Sequence, residues 1–250
     1  MKHKKKLRRL IIVAIMGMVL CLVVVVLFYN GIILFNELSS RKYSVKGVDI
    51  SSYQGDIDWN ILAGQDIQFA FIKATEGSSY IDPYFQSNYV EAEKTNLRIG
   101  AYHFFSYDSS GKTQSENFIS VVPKGENMLP PVVDVEFYGD KETNLPDKNE
   151  VHMEVSVLLN ELEKYYGLKP IIYATEKSYR LYIAEEFQDY DIWIRNVFTK
   201  PTLSDKRDWT FWQYTNRECL NGYKGKEKYI DMNVFWGTQE DFSDYAKIDP

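Results

Sequence analysis

The longest apolar run comes first. Leu10 to Phe35 holds 26 residues without a charge, mostly Ile, Val, Leu, Met and Phe. As a helix it is about 39 Å long at about 1.5 Å per residue, more than the roughly 30 Å hydrocarbon core of a bilayer. It spans with some tilt. A cleavable export signal has an apolar stretch of about 7–15 residues followed by a small-x-small site. This run is longer, and no such site follows it. Leu20 ahead of Cys21 is too large for a lipid-attachment site, and the apolar run continues past it. The pattern predicts one uncleaved anchor over residues 10–35. Residues 1–9 form a basic flank carrying Lys2, Lys4, Lys5, Lys6, Arg8 and Arg9. Positive flanks stay in the cytoplasm, so the rest of the chain is expected outside. Residues 36–46 read as a short polar linker reaching at most about 40 Å. It holds a domain over residues 47–250 close to the outer face of the cell membrane.

Within that domain short apolar runs rich in β-branched and aromatic residues recur. They are Gly47–Ile50, Gln68–Ala74, Arg98–Phe105, Pro131–Glu136, Pro170–Ala174, Asp191–Ile194, Trp209–Tyr214 and Tyr229–Val234. Helical patterns separate the early ones. Asp82-Pro83 reads as a cap and first-turn proline for a helix to about Thr95. Asp147 to Tyr166 carries an apolar stripe of Val151, Val155, Leu158, Leu162 and Tyr165, and Gly167 follows as a C-cap. Lys200–Asp208 reads as a loop and Asn221–Lys228 as a hairpin turn. Strands alternating with helices predict an α/β fold on a parallel sheet, and eight of them suggest a closed barrel with a strand-rich C-terminal part.

Composition adds two limits. The chain has 29 Lys and Arg against 35 Asp and Glu, with six of the positive charges in the first nine residues. The exported body is therefore acidic, and binding to a nucleic-acid backbone is not expected. Cys21 lies in the apolar run and Cys219 is alone in the body. No disulfide forms within the domain, so a packed core must hold it. Aromatic residues are 15% of the chain; they fill a core or line a groove, and composition does not choose.

In such barrels chemistry sits at the C-terminal ends of the strands. There the chain places Asp49, Lys73 and Glu76, Tyr102 and His103, Asp134 and Glu136, Tyr173, Trp193, Gln213 and Asp231. Side chains alternate along a strand, so Asp134 and Glu136 share a face. Two crowded carboxyls push their pKa values apart, leaving one ionised and one able to hold a proton. Cleaving a glycosidic bond needs both forms. Taken alone, an Asp-x-Glu at a strand end is more often a solvated loop pair; the carboxylates on other strands change that. Asp49 and Asp231 alone read as strand-end caps, His103 as a packing residue, and Trp193 and Tyr173 as core. Lys73 and Glu76 alone read as an ion pair. No His-Glu-x-x-His, Cys-x-x-Cys, Gly-x-Ser-x-Gly, P-loop or Gly-x-Gly-x-x-Gly occurs, so no dedicated zinc site is expected.

Several ordered segments resemble glycoside hydrolase family 25, the Chalaropsis-type muramidases. They are Gly47-Val48-Asp49-Ile50-Ser51-Ser52-Tyr53-Gln54-Gly55-Asp56-Ile57-Asp58-Trp59, Phe71-Ile72-Lys73-Ala74-Thr75-Glu76-Gly77, Gly100-Ala101-Tyr102-His103-Phe104, Asp134-Val135-Glu136, Trp212-Gln213-Tyr214 and Asp231-Met232-Asn233-Val234-Phe235. The resemblance covers about residues 46–237. It implies an irregular TIM-like barrel of five β/α units followed by three strands. It also implies hydrolysis of the β-1,4 bond between N-acetylmuramic acid and N-acetylglucosamine in peptidoglycan, without a cofactor. Retention of configuration, with help from the substrate's N-acetyl group, is part of the same implication. Glu136 would then be the acid/base and Asp134 its partner carboxylate, with Asp49 and Asp231 completing the acidic mouth. Tyr102, Tyr173, Trp193 and Gln213 would hold the sugar beside Lys73 and Glu76.

The chain departs from the family after Trp193-Ile194. Arg195-Asn196-Val197-Phe198 stands where an Ala and then a Tyr often follow, which alters one substrate-binding wall. The expected partners are peptidoglycan glycan strands, and the membrane through residues 10–35, which suggests a bacterial host. Two other readings are a catalytically silent, membrane-anchored glycan-binding protein and a structural subunit of an envelope assembly.

Overall fold

Apolar runs buried on both faces pair in parallel, because each must be covered on either side. A computed structural model describes residues 2–125 and 127–247. Met1, Glu126 and residues 248–250, which fall in the predicted flank and domain, lie outside the described residues. The strands are β1 Lys46–Ile50, β2 Phe69–Glu76, β3 Tyr80–Ile81, β4 Arg98–Phe104, β5 Val132–Val135, β6 Ile171–Thr175, β7 Asp191–Arg195, β8 Phe211–Glu218 and β9 Ile230–Phe235. The order is β1-β9-β8-β7-β6-β5-β4-β2-β3, and β1 also pairs with β2, which closes an eight-stranded barrel with β3 outside it. Strands β1, β2, β4, β5, β6, β7 and β8 run parallel, and β9 is antiparallel to both β8 and β1. Helical segments follow each of β1, the β2–β3 hairpin, β4, β5 and β6, and then β7, β8 and β9 succeed one another without one. This is the irregular barrel of five β/α units and three strands.

Alternation along each strand sets what faces the barrel axis. Phe69 and Phe71 of β2, Val132 of β5, Ile171 and Tyr173 of β6, Trp193 of β7, Phe211 of β8 and Phe235 of β9 form one buried cluster. The intervening residues, such as Ala70, Ile72, Val133, Ile172, Ile192 and Trp212, join a second cluster, on the face opposite the axis. The axial cluster leaves no room for side chains at Gly47 and Gly100. A Cβ there would lie 2.4 Å from the Phe69 ring and 2.6 Å from the Phe71 ring. Those glycines let two phenylalanines plug the barrel floor.

Elements missed by periodicity bury polar atoms. The helix Gly111–Val121 packs with Gln114, Ser115 and Asn117 buried beside Phe118, so no apolar stripe betrays it. The helix Trp59–Ala63 has too few residues to show a period. The helix expected from Asp82 begins only at Phe85. Asp82 instead accepts from Ser52 N and Tyr84 N, tying the β1 loop to it. Tyr165 leaves the stripe expected for the helix Lys148–Tyr166 and Tyr166 takes its place, sending its hydroxyl to Val122 O at 2.9 Å.

The N-terminal segment, read as an apolar run to Phe35 and a short polar linker, takes this form in the structure. One helix, Lys2–Tyr29, runs through the basic flank and the apolar run and ends at Tyr29. His3–Tyr29 is long and apolar enough to cross a membrane. Residues 36–45 lie on the barrel: Asn36, Tyr43 and Val45 are buried, and Asn36 Nδ2 donates to Asn196 O and Tyr214 O.

Asp147 caps its helix through one oxygen that accepts from Asn149 N and Glu150 N. Gly167 ends it in the left-handed region at φ 72°. Asp147→Ala should lower the free energy of unfolding by about 1 kcal/mol, read as a shifted midpoint in urea denaturation with an unchanged slope.

Candidate active site

Each barrel strand changes character along its inward series. β2 goes from Phe69 and Phe71 to Lys73, β5 from Val132 to Asp134 and then Glu136, and β7 from Trp193 to Arg195. β8 goes from Phe211 to Gln213, and antiparallel β9 runs in reverse from Asp231 and Asn233 to Phe235. Apolar residues plug one half of the barrel, and polar ones open at the C-terminal ends of the parallel strands. There a groove of about 670 Å³ is lined by ten of the eleven strand-end residues named from the sequence, all but His103: Asp49, Lys73, Glu76, Tyr102, Asp134, Glu136, Tyr173, Trp193, Gln213 and Asp231.

A hydrogen-bond lattice organises its floor. Asp49 and Asp231 stand directly opposite in the antiparallel β1–β9 pair. Gln213 Nε2 donates to both Asp49 oxygens, at 3.0 and 2.9 Å, and to Asp231 Oδ2 at 3.2 Å. Asn233 Nδ2 donates to Asp49 Oδ2 at 2.7 Å, and its Oδ1 accepts from Trp193 Nε1 at 2.7 Å. Tyr173 hydroxyl donates to Gln213 Oε1 at 3.1 Å. Trp193 stacks on Phe71 with centroids 4.7 Å apart and is 2% exposed. It is therefore floor, and one of its faces is occupied by Phe71. Lys73 Nζ pairs with Glu76 at 2.8 Å and lies 4.7 Å from the Phe104 ring centroid.

The strand β5 pair has no such lattice. Asp134 is 6% exposed, and its Oδ1 has no hydrogen-bond partner among the described residues. Glu136, just beyond the strand, is half-buried at the groove wall. Burial raises the Asp134 pKa well above its usual value, the Glu136 charge raises it further, and Lys73 opposes both. Burial also raises Glu136, with Arg195 lowering it and Asp49 raising it. Asp231 is pushed well up by burial and by the Asp49 charge. Asp49 rises by burial, less steeply because Asn233 and Gln213 donate to it. The mouth thus holds protons at a pH where free carboxyls are bare.

Among the residues that shape the site, Arg195, Tyr229 and the buried Asn233 escaped the sequence reading. Arg195 appeared only as a departure, yet its guanidinium is the cation that lowers Glu136, Asp49 and Asp231. Asn233 lies two residues from Asp231, the same i, i+2 spacing that singled out Asp134 and Glu136, and that spacing was the available signal. Tyr229 lines the rim and has no sequence signal. His103 is fully buried behind the groove, bonded to Thr75 Oγ1 at 2.7 Å and Gln114 Oε1 at 3.0 Å. Burial lowers its pKa to about 4, so it is a neutral packing residue.

A raised native pKa means the folded state binds more protons than the unfolded chain. Stability is then lost as pH climbs from the unfolded value near 3.9 through the native one. Asp134→Asn should melt above the wild type at pH 7, by about 2–4 °C for each kcal/mol of strain relieved. The gap should close as pH falls toward 4, read by scanning calorimetry across pH.

Residues 48–223 match Glycosyl hydrolases family 25. A solved family 25 glycosyl hydrolase from Bacillus anthracis superposes with a TM-score of 0.79 at 58% identity, covering 82% of this chain and 94% of that one. Lysozyme M1 of Streptomyces globisporus is 29% identical over 78% of this chain and 68% of its own length. The Escherichia coli K12 protein YegX, of uncharacterised function, is 36% identical over 82% of this chain and 74% of its own. With these likenesses, the acidic groove at the barrel mouth sits in a chain that belongs to glycosyl hydrolase family 25 and is a glycoside hydrolase.

Proposed function

We propose that this chain is a muramidase that cuts the β-1,4 bond between N-acetylmuramic acid and N-acetylglucosamine in peptidoglycan, with its barrel outside the cell and its N-terminal helix in the membrane. One observation carries the chemistry. Asp134 buries an unpartnered carboxylate oxygen two residues from Glu136, on the same strand face and in the same groove. A buried acceptor without a donor is costly, and a substrate acetamido N–H supplies that donor. The lysozyme named among the relatives supports the substrate class.

In this reading Glu136 is the general acid. Burial keeps its proton available, and its position on the groove wall lets it reach the leaving oxygen. As the glycosidic bond breaks, positive charge builds on the sugar ring. Asp134 orients the acetamido group, and Lys73, which opposes the effect of burial on it, favours the ionised form that offsets that build-up. With the leaving group gone, Glu136 takes a proton from the attacking water. Asp49 and Asp231, locked by Gln213 and Asn233, form the far wall. Tyr102 and Tyr173 border the sugar, while Lys73 and Glu76 stand at the β2 edge of the groove.

The basic flank and the apolar helix support the tether. Positive charge before the span retains residues 1–9 in the cytoplasm, which leaves the acidic barrel on the wall side.

The test uses full-length protein solubilised in detergent with purified peptidoglycan. Reducing ends should appear, and mass spectrometry of the fragments should show N-acetylmuramic acid at the new ends. Glu136→Gln should lower kcat by about 10²–10⁴-fold with little change in KM. Fragments ending in N-acetylglucosamine, or an unchanged kcat in the variant, would overturn the assignment.

A further inference from the structure

The anchor helix ends in a built stop. Gly31 lies in the left-handed region at φ 68°. Its N–H reaches Phe28 O at 3.0 Å while Ile32 N reaches Leu27 O at 2.9 Å, the two bonds of a Schellman C-cap. The last helical carbonyl, Tyr29 O, is satisfied by the barrel. It accepts from Arg217 Nη1 at 2.9 Å and from Tyr229 hydroxyl at 2.9 Å. A cation at a helix C-terminus is favourable by charge as well as by hydrogen bond. The Arg217 guanidinium also sits 5.3–5.4 Å from the ring centroids of Phe28, Tyr29 and Tyr229. A Cβ on Gly31 would lie 2.5 Å from Arg217 O and 2.9 Å from the Tyr229 ring, so the chain turns there only as glycine. Phe35 folds back on Phe28 and Phe198, with centroids 4.4 and 5.9 Å away.

The place of this junction on the barrel matters. Arg217 is near the C-terminal end of β8, and Tyr229 immediately precedes β9. Both lie on the face where the groove opens, and Tyr229 itself lines the groove. From the junction the chain descends outside β8, through Asn36 on Tyr214 O, and enters β1 at the opposite end. Leu10–Tyr29 is about 30 Å of helix at about 1.5 Å per residue, the thickness of a hydrocarbon core. Tyr29 therefore marks the outer boundary of the bilayer. Exposed Ile32, Phe35, Leu38 and Phe198 surround the exit, as an apolar collar continuous with the helix.

We propose that the anchor is a fixed bracket rather than a flexible leash, and that it holds the groove open at the height of the lipid headgroups, so that the glycan cut is a strand lying on or carried by the membrane. The occupant of the apolar collar is the bilayer surface. This rests on the proposed membrane span and muramidase activity. The substrate's shared chemistry is a β-1,4-linked amino-sugar strand at headgroup level. Its source is either a strand still bonded through its end to a membrane lipid or free glycan that settles there.

The test places full-length protein in phosphatidylcholine–phosphatidylglycerol vesicles that carry a headgroup-linked fluorescence quencher. Cys219 is exposed and lies just past β8 on the groove face. With Cys21→Ser, a dye on Cys219 reports that face. With Cys21→Ser, Cys219→Ser and Asn96→Cys, a dye on the exposed loop before β4 reports the opposite end. Quenching at position 219 should exceed that at position 96 by threefold or more. Adding Arg217→Ala and Phe198→Ser should cut the 219 signal at least twofold. Equal quenching at the two ends, or quenching indifferent to those substitutions, overturns the bracket. This optical readout needs no turnover, so it fails or succeeds independently of the hydrolase reading. In the same vesicles, glycan attached to lipid through a diphosphate should be cut at least tenfold faster than the same glycan free in solution, and the Arg217→Ala, Phe198→Ser protein should lose most of that preference. Equal rates on the two glycans, or a preference retained in that protein, overturn the substrate part.

Discussion

The site depends on four carboxyl groups gathered in one partly dry mouth. Each resists losing its proton there, and none would be gathered without support. Gln213 and Asn233 supply that support for Asp49 and Asp231, by donating four hydrogen bonds to the two groups. Tyr173 and Trp193 hold the two amides from behind. The rigidity comes from below, where the axial cluster leaves the floor no space to collapse. Asp134 stands apart from this lattice, and its bare oxygen is the imbalance that a substrate would resolve.

The same barrel that crowds charge also separates roles. Asp134 lies deeper than Glu136 on one strand face, so a single structural repeat produces one carboxyl that stays with the floor and one that reaches the wall. Arg195 tempers the arrangement. It lines the same groove and lowers three of the four carboxyls, where a neutral residue would leave the mouth more basic.

The N-terminal segment extends this logic outward. Arg217 satisfies the last helical carbonyl of Tyr29 that would otherwise lie bare, and Tyr229, which donates to the same oxygen, lines the groove. The end of the N-terminal helix and the opening of the site therefore share one face of the barrel, set by β8 and β9.

How much was legible in the chain follows from what each feature depends on. The eight strands were readable because β-branched and aromatic runs bounded by turns are local patterns, and the Asp134–Glu136 face followed from strand alternation alone. The ten groove residues were readable as strand ends, since a parallel barrel aligns such ends. The helix Gly111–Val121 was not readable, because it buries Gln114 through a hydrogen bond to the preceding loop and Asn117 through one to Gly77, and leaves no periodic stripe. Nor was the linker, whose residues find partners on Asn196, Tyr214 and Gln68 once the barrel closes. The sequence by itself determined the barrel, the apolar N-terminal helix and the candidate carboxyls, because each rests on spacing along the chain. Only the tertiary structure decided which carboxyls are held by donated hydrogen bonds and where the N-terminal helix stops, because those depend on neighbours more than 150 residues away.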